Sequence, residues 1–260
     1  MIGGIPRIVL VLLLPGLDGS RAPYAPLETE LCTTLGTRAT VCSIAYDPRG
    51  PHDHASLSAI VASKLPLDGD VVLVGWSFSG PIAVRVAMAH RERVRGIVLA
   101  ASFLRSPRPA LGVLRPFVRA TLIGSVPSAW RARLVRTLLL GRAPSPAACA
   151  VFGAVLDPGA GDALPPAGIA ARVRAVLGID VRAEFAALDP PVLYLRSSAD
   201  RLVPRRCARE VLALARDARE VVLDGPHVAL ATAPREAAAA IASFVGGLTR
   251  APGDRSTARP

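Results

Sequence analysis

The 260-residue chain is 51% hydrophobic and 20% charged, which is too apolar to stay disordered and long enough for one α/β domain without metal or disulfide staples. Its formal net charge is +11, from 31 basic and 20 acidic residues, with Lys64 the only lysine. Such a surplus points to nucleic acid, a membrane surface or an acidic partner, but no zinc finger, helix-turn-helix or aromatic-basic RNA motif accompanies it, so nucleic acid is set aside.

The first apolar run, Ile8 to Leu14 (IVLVLLL), is too short to span a bilayer. Only Arg7 stands before it and Pro15-Gly16 follows in place of a small-residue cleavage site, so it does not read as a signal peptide. A soluble, cytoplasmic protein is expected. The run is instead the first of six strand candidates, followed by Thr40 to Tyr46, Val71 to Trp76, Gly96 to Ser102, Pro191 to Ser197 and Glu220 to Asp224. They are apolar on both faces, as strands of a covered parallel sheet are. Helices are expected near Tyr24 to Leu35, Ala55 to Leu65, Pro81 to His90, Arg205 to Arg216 and Ala229 to Val245. The fold class is therefore α/β, a mostly parallel sheet covered by helices on both faces.

The alternation stops between about Phe103 and Leu188, where repeated prolines break the chain into short helical pieces. Residues 104–188 are expected to form an inserted helical cap, with 1–103 and 189–248 as the core and 249–260 as a polar, disordered tail. Trp130, Leu134 and Leu138 share one helical face within the insertion. The four cysteines, Cys32, Cys42, Cys149 and Cys207, contain no C-x-x-C pair, which argues against zinc or redox chemistry. They are expected to be free and mostly buried, Cys32 and Cys42 pairing only in an oxidising compartment.

The third strand runs into Gly75-Trp76-Ser77-Phe78-Ser79-Gly80 and then directly into a helix. A nucleophile on such a tight turn needs small residues two positions to either side, here Gly75 and Ser79, and Ser77 sits at the tip. Read alone, Ser77 is equally an ordinary helix-capping serine. Of four histidines, His90 ends a helix, and His52 and His54 fall in a polar turn and are expected to be solvated. His227 follows the last strand in Asp224-Gly225-Pro226-His227, at the sheet edge where open α/β sheets place their sites. A base needs an orienting carboxylate, and Asp200, in Ser198-Ala199-Asp200-Arg201-Leu202-Val203-Pro204, follows the preceding strand. Asp224 is the competitor, and a capping role for Asp200 is the alternative.

The order Ser77, Asp200, His227 on this alternating pattern, together with GWSFSG, SSADRLVP, DGPH and the loop Leu14-Pro15-Gly16-Leu17-Asp18-Gly19, resembles the α/β-hydrolase family over nearly the whole chain. The resemblance implies a nucleophile–acid–base triad and an oxyanion hole from the amides of Leu17 and Phe78, with no cofactor and no metal. Two residues depart from the family pattern: Pro15 replaces a histidine, and Ser79 replaces a glycine. The first strand corresponds to the family's third, which implies a compact member without the opening hairpin. The implied activity is hydrolysis of a small-molecule carboxylic ester or thioester through an acyl-enzyme. An acyltransferase, or a catalytically weak ligand-binding protein, is the alternative. The cap would shape the pocket, with Phe117, Trp130 and Phe152 as candidate lining. Between Glu92 and Asp157 there is no acidic residue but ten arginines, eight of them in the expected cap. This makes an acyl carrier protein, a coenzyme A thioester or an anionic membrane surface the expected kind of partner at the pocket mouth.

Overall fold

A computed structural model describes residues 9–141, 144, 146, 149, 153 and 164–249. Ile8, Arg142, Phe152 and the tail from residue 250 lie outside the described residues. Six strands form one sheet: β1 (Val9–Leu14), β2 (Ala39–Ser43), β3 (Asp70–Trp76), β4 (Val94–Ala100), β5 (Val192–Ser197) and β6 (Ala218–Leu223). All neighbours are parallel, in the order β2-β1-β3-β4-β5-β6. Ten α-helices are present among the described residues, besides four 3-10 helices: α1 (Ala25–Leu35), α2 (His54–Ser63), α3 (Gly80–Ala89), α4 (Ala120–Ser125), α5 (Ser128–Leu140), α6 (Pro166–Gly178), α7 (Arg182–Ala186), α8 (Arg205–Leu214), α9 (Ala229–Thr232) and α10 (Pro234–Thr249).

Because side chains alternate across a strand, each central strand feeds two cores at once. Val11, Leu13, Val72, Val74, Val98 and Leu193 pack with Leu27, Leu31, Ile241 and Phe244 of α1 and α10. Leu12, Leu14, Leu73, Ile97, Leu99 and Tyr194 pack with Leu57, Ile82, Val86, Phe185 and Val211 of α2, α3, α7 and α8. This two-sided burial is why the strands read as unbroken apolar runs.

The sheet order also decides where a site can form. From β1 the chain moves outward to β2, then returns across to β3 on the other side of β1. The loops leaving β1 and β3 therefore part in opposite directions, and a crevice opens between them at the carboxyl ends of the strands.

Two expectations about elements need correction. The single helix expected from Ala229 to Val245 is two helices, broken at Ala233, which leaves helical geometry (φ −129°, ψ 56°) because Pro234 follows it. Thr249, expected in the tail, is the last residue of α10. The thiols are free as expected, but only Cys207 is buried; Cys32 and Cys42 are exposed.

In the inserted segment, Leu104 to Ser106 meet Ile179 to Val181 through the hydrogen bonds Val181 N–H to Leu104 O (2.8 Å) and Ser106 N–H to Ile179 O (3.1 Å), with an antiparallel bridge between Arg105 and Asp180. Beyond that neck, Phe185 and Leu188 are buried in the core. The face of Trp130, Leu134 and Leu138 is exposed, Trp130 at 70%, and Phe117 is exposed as well. Helical spacing shows that these side chains share a face, but the periodicity holds no information about what covers it. Among the described residues no helix is long and apolar enough to cross a membrane.

Candidate active site

Ser77 immediately follows β3 and occupies the left-handed region at φ 50°, unusual for a residue with a side chain. Ser102, past the end of β4, donates its hydroxyl to the Ser77 carbonyl at 2.6 Å and holds the turn. Gly75 is required by close approach: a Cβ there would lie 2.8 Å from the Ser79 carbonyl. The Ser77 side chain is partly exposed, whereas its neighbours Trp76 and Phe78 are buried.

His227 and Asp200 come to this turn from the ends of β6 and β5. His227 Nε2 lies 2.9 Å from Ser77 Oγ, and its Nδ1 lies 2.8 Å from Asp200 Oδ2. A carboxylate only accepts, so Nδ1 carries the proton and Nε2 is left to accept from the serine hydroxyl. The histidine and aspartate side chains are 3% and 5% exposed. The other Asp200 oxygen, Oδ1, accepts the amides of Leu202 (2.8 Å) and Val203 (2.9 Å) within the turn, which is not a helix cap, since Pro204 precedes α8 with no side-chain cap hydrogen bond. Asp224 is not part of this chain of hydrogen bonds; its Oδ1 accepts from Ser198 Oγ at 2.8 Å. Trp76 backs the histidine, its ring stacked at 6.2 Å and its Nε1 donating to the His227 carbonyl at 3.4 Å.

The loop after β1 lies beside the residues that flank Ser77: a Cβ at Gly16 would be 3.4 Å from the Trp76 ring. The Leu17 amide has no hydrogen-bond partner among the described residues, and Phe78 lies in the first turn after Ser77, where amides have no intrahelical acceptor. The loop's carbonyls, by contrast, are held: Tyr24 Oη donates to Leu14 O at 2.7 Å, and Ser79 Oγ donates to Pro15 O. Since Ser79 spends its only proton there, the Tyr46 hydroxyl, 2.7 Å away, donates to Ser79 Oγ. Both departures from the family pattern thus meet in one contact, with Ser79 reaching the carbonyl of Pro15.

His54 corrects the sequence reading. It is not solvated: it opens α2 under the Asp53 cap, is 3% exposed, and stacks on the Phe78 ring at 4.4 Å with Nε2 donating to the Phe78 carbonyl at 3.1 Å. Burial lowers its pKa to about 4, so the unfolded chain, near the ordinary 6.5, binds a proton that the folded chain refuses. Stability from this group is complete above pH 6.5 and is lost as pH falls toward 4, by about 3 kcal/mol. Thermal melts between pH 7 and pH 4 should therefore show a steeper fall for the wild type than for His54→Gln. Parallel curves would show that His54 does not set the slope.

The model of the alpha/beta hydrolase family matches residues 11–241. The chain belongs to that family. Among curated proteins, this alpha/beta hydrolase is 25% identical over 219 residues to the pimeloyl-[acyl-carrier protein] methyl ester esterase of Neisseria meningitidis serogroup A, covering 80% of the chain and 67% of the relative. The Edwardsiella ictaluri protein of the same name is 27% identical over 203 residues, covering 76% and 77%. Among solved structures, MenH from S. aureus superposes with a TM-score of 0.73 at 15% identity, covering 95% of this chain and 97% of that one. The enol-lactonase from Burkholderia xenovorans gives 0.71 at 19%, covering 93% and 91%. These two structural likenesses extend the shared hydrolase fold over nearly the whole chain.

Proposed function

We propose that the chain is a serine esterase. Ser77 is the nucleophile, His227 the general base, Asp200 the carboxylate that orients it, and the amides of Leu17 and Phe78 the oxyanion hole. The observation that carries this reading is the unbroken Ser77–His227–Asp200 hydrogen-bond chain at 2.9 and 2.8 Å. Ser77 Oγ attacks the ester carbonyl carbon as its proton passes to His227 Nε2, and the carbonyl oxygen takes the negative charge toward the two amides. The C–O bond to the leaving group breaks, the imidazolium returns its proton to that oxygen, and an alcohol departs. Water, deprotonated by the same nitrogen, then cleaves the acyl-enzyme to the carboxylic acid. No step calls for a cofactor.

The curated relatives are named for a methyl ester on an acyl chain held by a carrier protein. An ester on a carrier-bound acyl chain is accordingly the substrate class we assign, and the inserted segment, residues 104–188, is the cap over it. Arg133 and Arg136 of α5 are exposed and suit an acidic carrier, Arg136 making only a 3.8 Å contact to Cys149 Sγ, whereas Arg131 donates to the carbonyls of Ile123 (2.9 Å) and Val126 (2.7 Å). A fluorophosphonate probe should label Ser77, and methyl esters of varied acyl length should be hydrolysed; an unlabelled Ser77 overturns the assignment.

The partner is tested separately. Reversing Arg133 and Arg136 to glutamate should lower kcat/KM on a carrier-bound ester about tenfold at low salt, and high salt should shrink the difference. The free methyl ester should be hydrolysed at an unchanged rate. Equal rates on the carrier-bound ester at low salt would leave these arginines as a solvated face.

A further inference from the structure

Arg172, on α6 of the inserted segment, is the largest fully buried side chain among the described residues, with 0% of it exposed. It reaches the β1 loop, where Nη1 donates to the Leu17 carbonyl at 2.8 Å. Its guanidinium lies 5.6 Å from the Tyr46 ring centre and 5.9 Å from that of Phe78. No carboxylate among the described residues comes within ion-pair distance, and Nε and Nη2 find no hydrogen-bond partner there. A buried guanidinium with most of its donors idle costs stability, and the contact that it does make must be specific enough to keep it.

The loop is shaped to receive this side chain. Gly19 stands at φ 79°, and a Cβ there would collide with Arg172 Nη1. Asp18 between them accepts the Ser20 amide at 3.2 Å, and burial pushes its pKa up to about 6 against the pull of Arg172. Leu14 and Pro15 take their donors from the core, from Tyr24 and Ser79. Leu17 alone takes its donor from the inserted segment, and its own amide, like those of Gly16 and Asp18, has no partner among the described residues.

We propose that Arg172 is a positioning residue that couples the seating of the cap to the setting of the oxyanion loop, by holding the Leu17 carbonyl so that the Leu17 amide faces Ser77. The inference rests on the assignment of Leu17 to the oxyanion hole. Without that donor the loop keeps only its holds on the core, from Tyr24, Ser79 and the Tyr46 amide, and the Leu17 amide is less well set to receive the oxyanion.

The test combines hydrogen exchange on the full chain with steady-state kinetics on a p-nitrophenyl ester, for Arg172→Met and Arg172→Lys. In Arg172→Met the amides of residues 14–19 should exchange about tenfold faster while β3 and α3 keep wild-type protection. For the same variant kcat should fall about 10- to 100-fold with KM nearly unchanged, as for loss of a transition-state donor. Arg172→Lys, which keeps one donor for the Leu17 carbonyl, should recover most of kcat. Unchanged exchange in residues 14–19, or equal losses in the two variants, overturns the proposal. Should Arg172→Met fail to fold, Gly19→Ala displaces the same guanidinium from the core side and must loosen the same segment. If the wild type neither turns over esters nor takes the probe at Ser77, the esterase reading falls, and the exchange arm alone decides whether Arg172 holds the loop.

Discussion

Ser77→Ala is expected to lower kcat by about 10⁴-fold or more on every ester the wild type hydrolyses, with KM altered only slightly. The substitution removes one oxygen, the only hydroxyl 2.9 Å from His227 Nε2, and leaves the turn in place. Ser102 still holds the residue-77 carbonyl, and Gly75 still admits the close approach of the Ser79 carbonyl. The melting temperature should change little, since the left-handed strain is unchanged and the hydroxyl removed is partly exposed. The paired observation is a lost rate with an intact fold and intact substrate binding. A variant that keeps a tenth of the wild-type kcat would show that another group does the chemistry.

Asp200→Asn should cost nearly as much, about 10³- to 10⁴-fold in kcat, by a different route. The amides of Leu202 and Val203 already claim one oxygen at 2.8 and 2.9 Å, and they would hold the asparagine carbonyl there. Its NH₂ group is then forced toward His227 Nδ1, which can only accept. The imidazole proton moves to Nε2, and the base presents a donor to Ser77 where an acceptor is needed. Because the loop keeps its two amide contacts, folding should be little affected. Asp224→Asn is the control: its carboxylate serves Ser198, so activity should stay within about twofold of wild type. If Asp224→Asn proves the more damaging, the assignment of the acid is wrong.

Much of the scaffold was legible because its signals are local. Runs such as Leu10 to Leu14 and Val71 to Val74 are apolar on both faces, and that alone marks a strand covered on two sides. Ser77, Asp200 and His227 each follow such a run, and side chains at the carboxyl ends of parallel strands share one edge. What was not legible depends on contacts between distant segments. His54 looks like a surface residue in a polar turn, and only the packing of α2 beneath Phe78 buries it. Arg172 looks like one more arginine of a basic segment, and nothing at its position announces that its partner is the Leu17 carbonyl. Ser79 and Pro15 each look like a departure from pattern until the turn and the loop are brought together. The spacing of Trp130, Leu134 and Leu138 gives a shared helical face and nothing about what covers it, and the described structure leaves that face open.

The neck at Leu104–Ser106 and Ile179–Val181 bears on how this chain could diversify. β4 and β5 are hydrogen-bonded neighbours, so everything between them is a single excursion whose two ends are already held together. Closing a longer or shorter loop between fixed ends changes stability only logarithmically, about 0.6 kcal/mol per doubling. The sheet is thus nearly indifferent to the size of what is grafted there, and new excursions can be tried without re-solving the fold. The contact that a graft would have to replace is local: the Leu17 carbonyl takes its donor from Arg172 of this excursion.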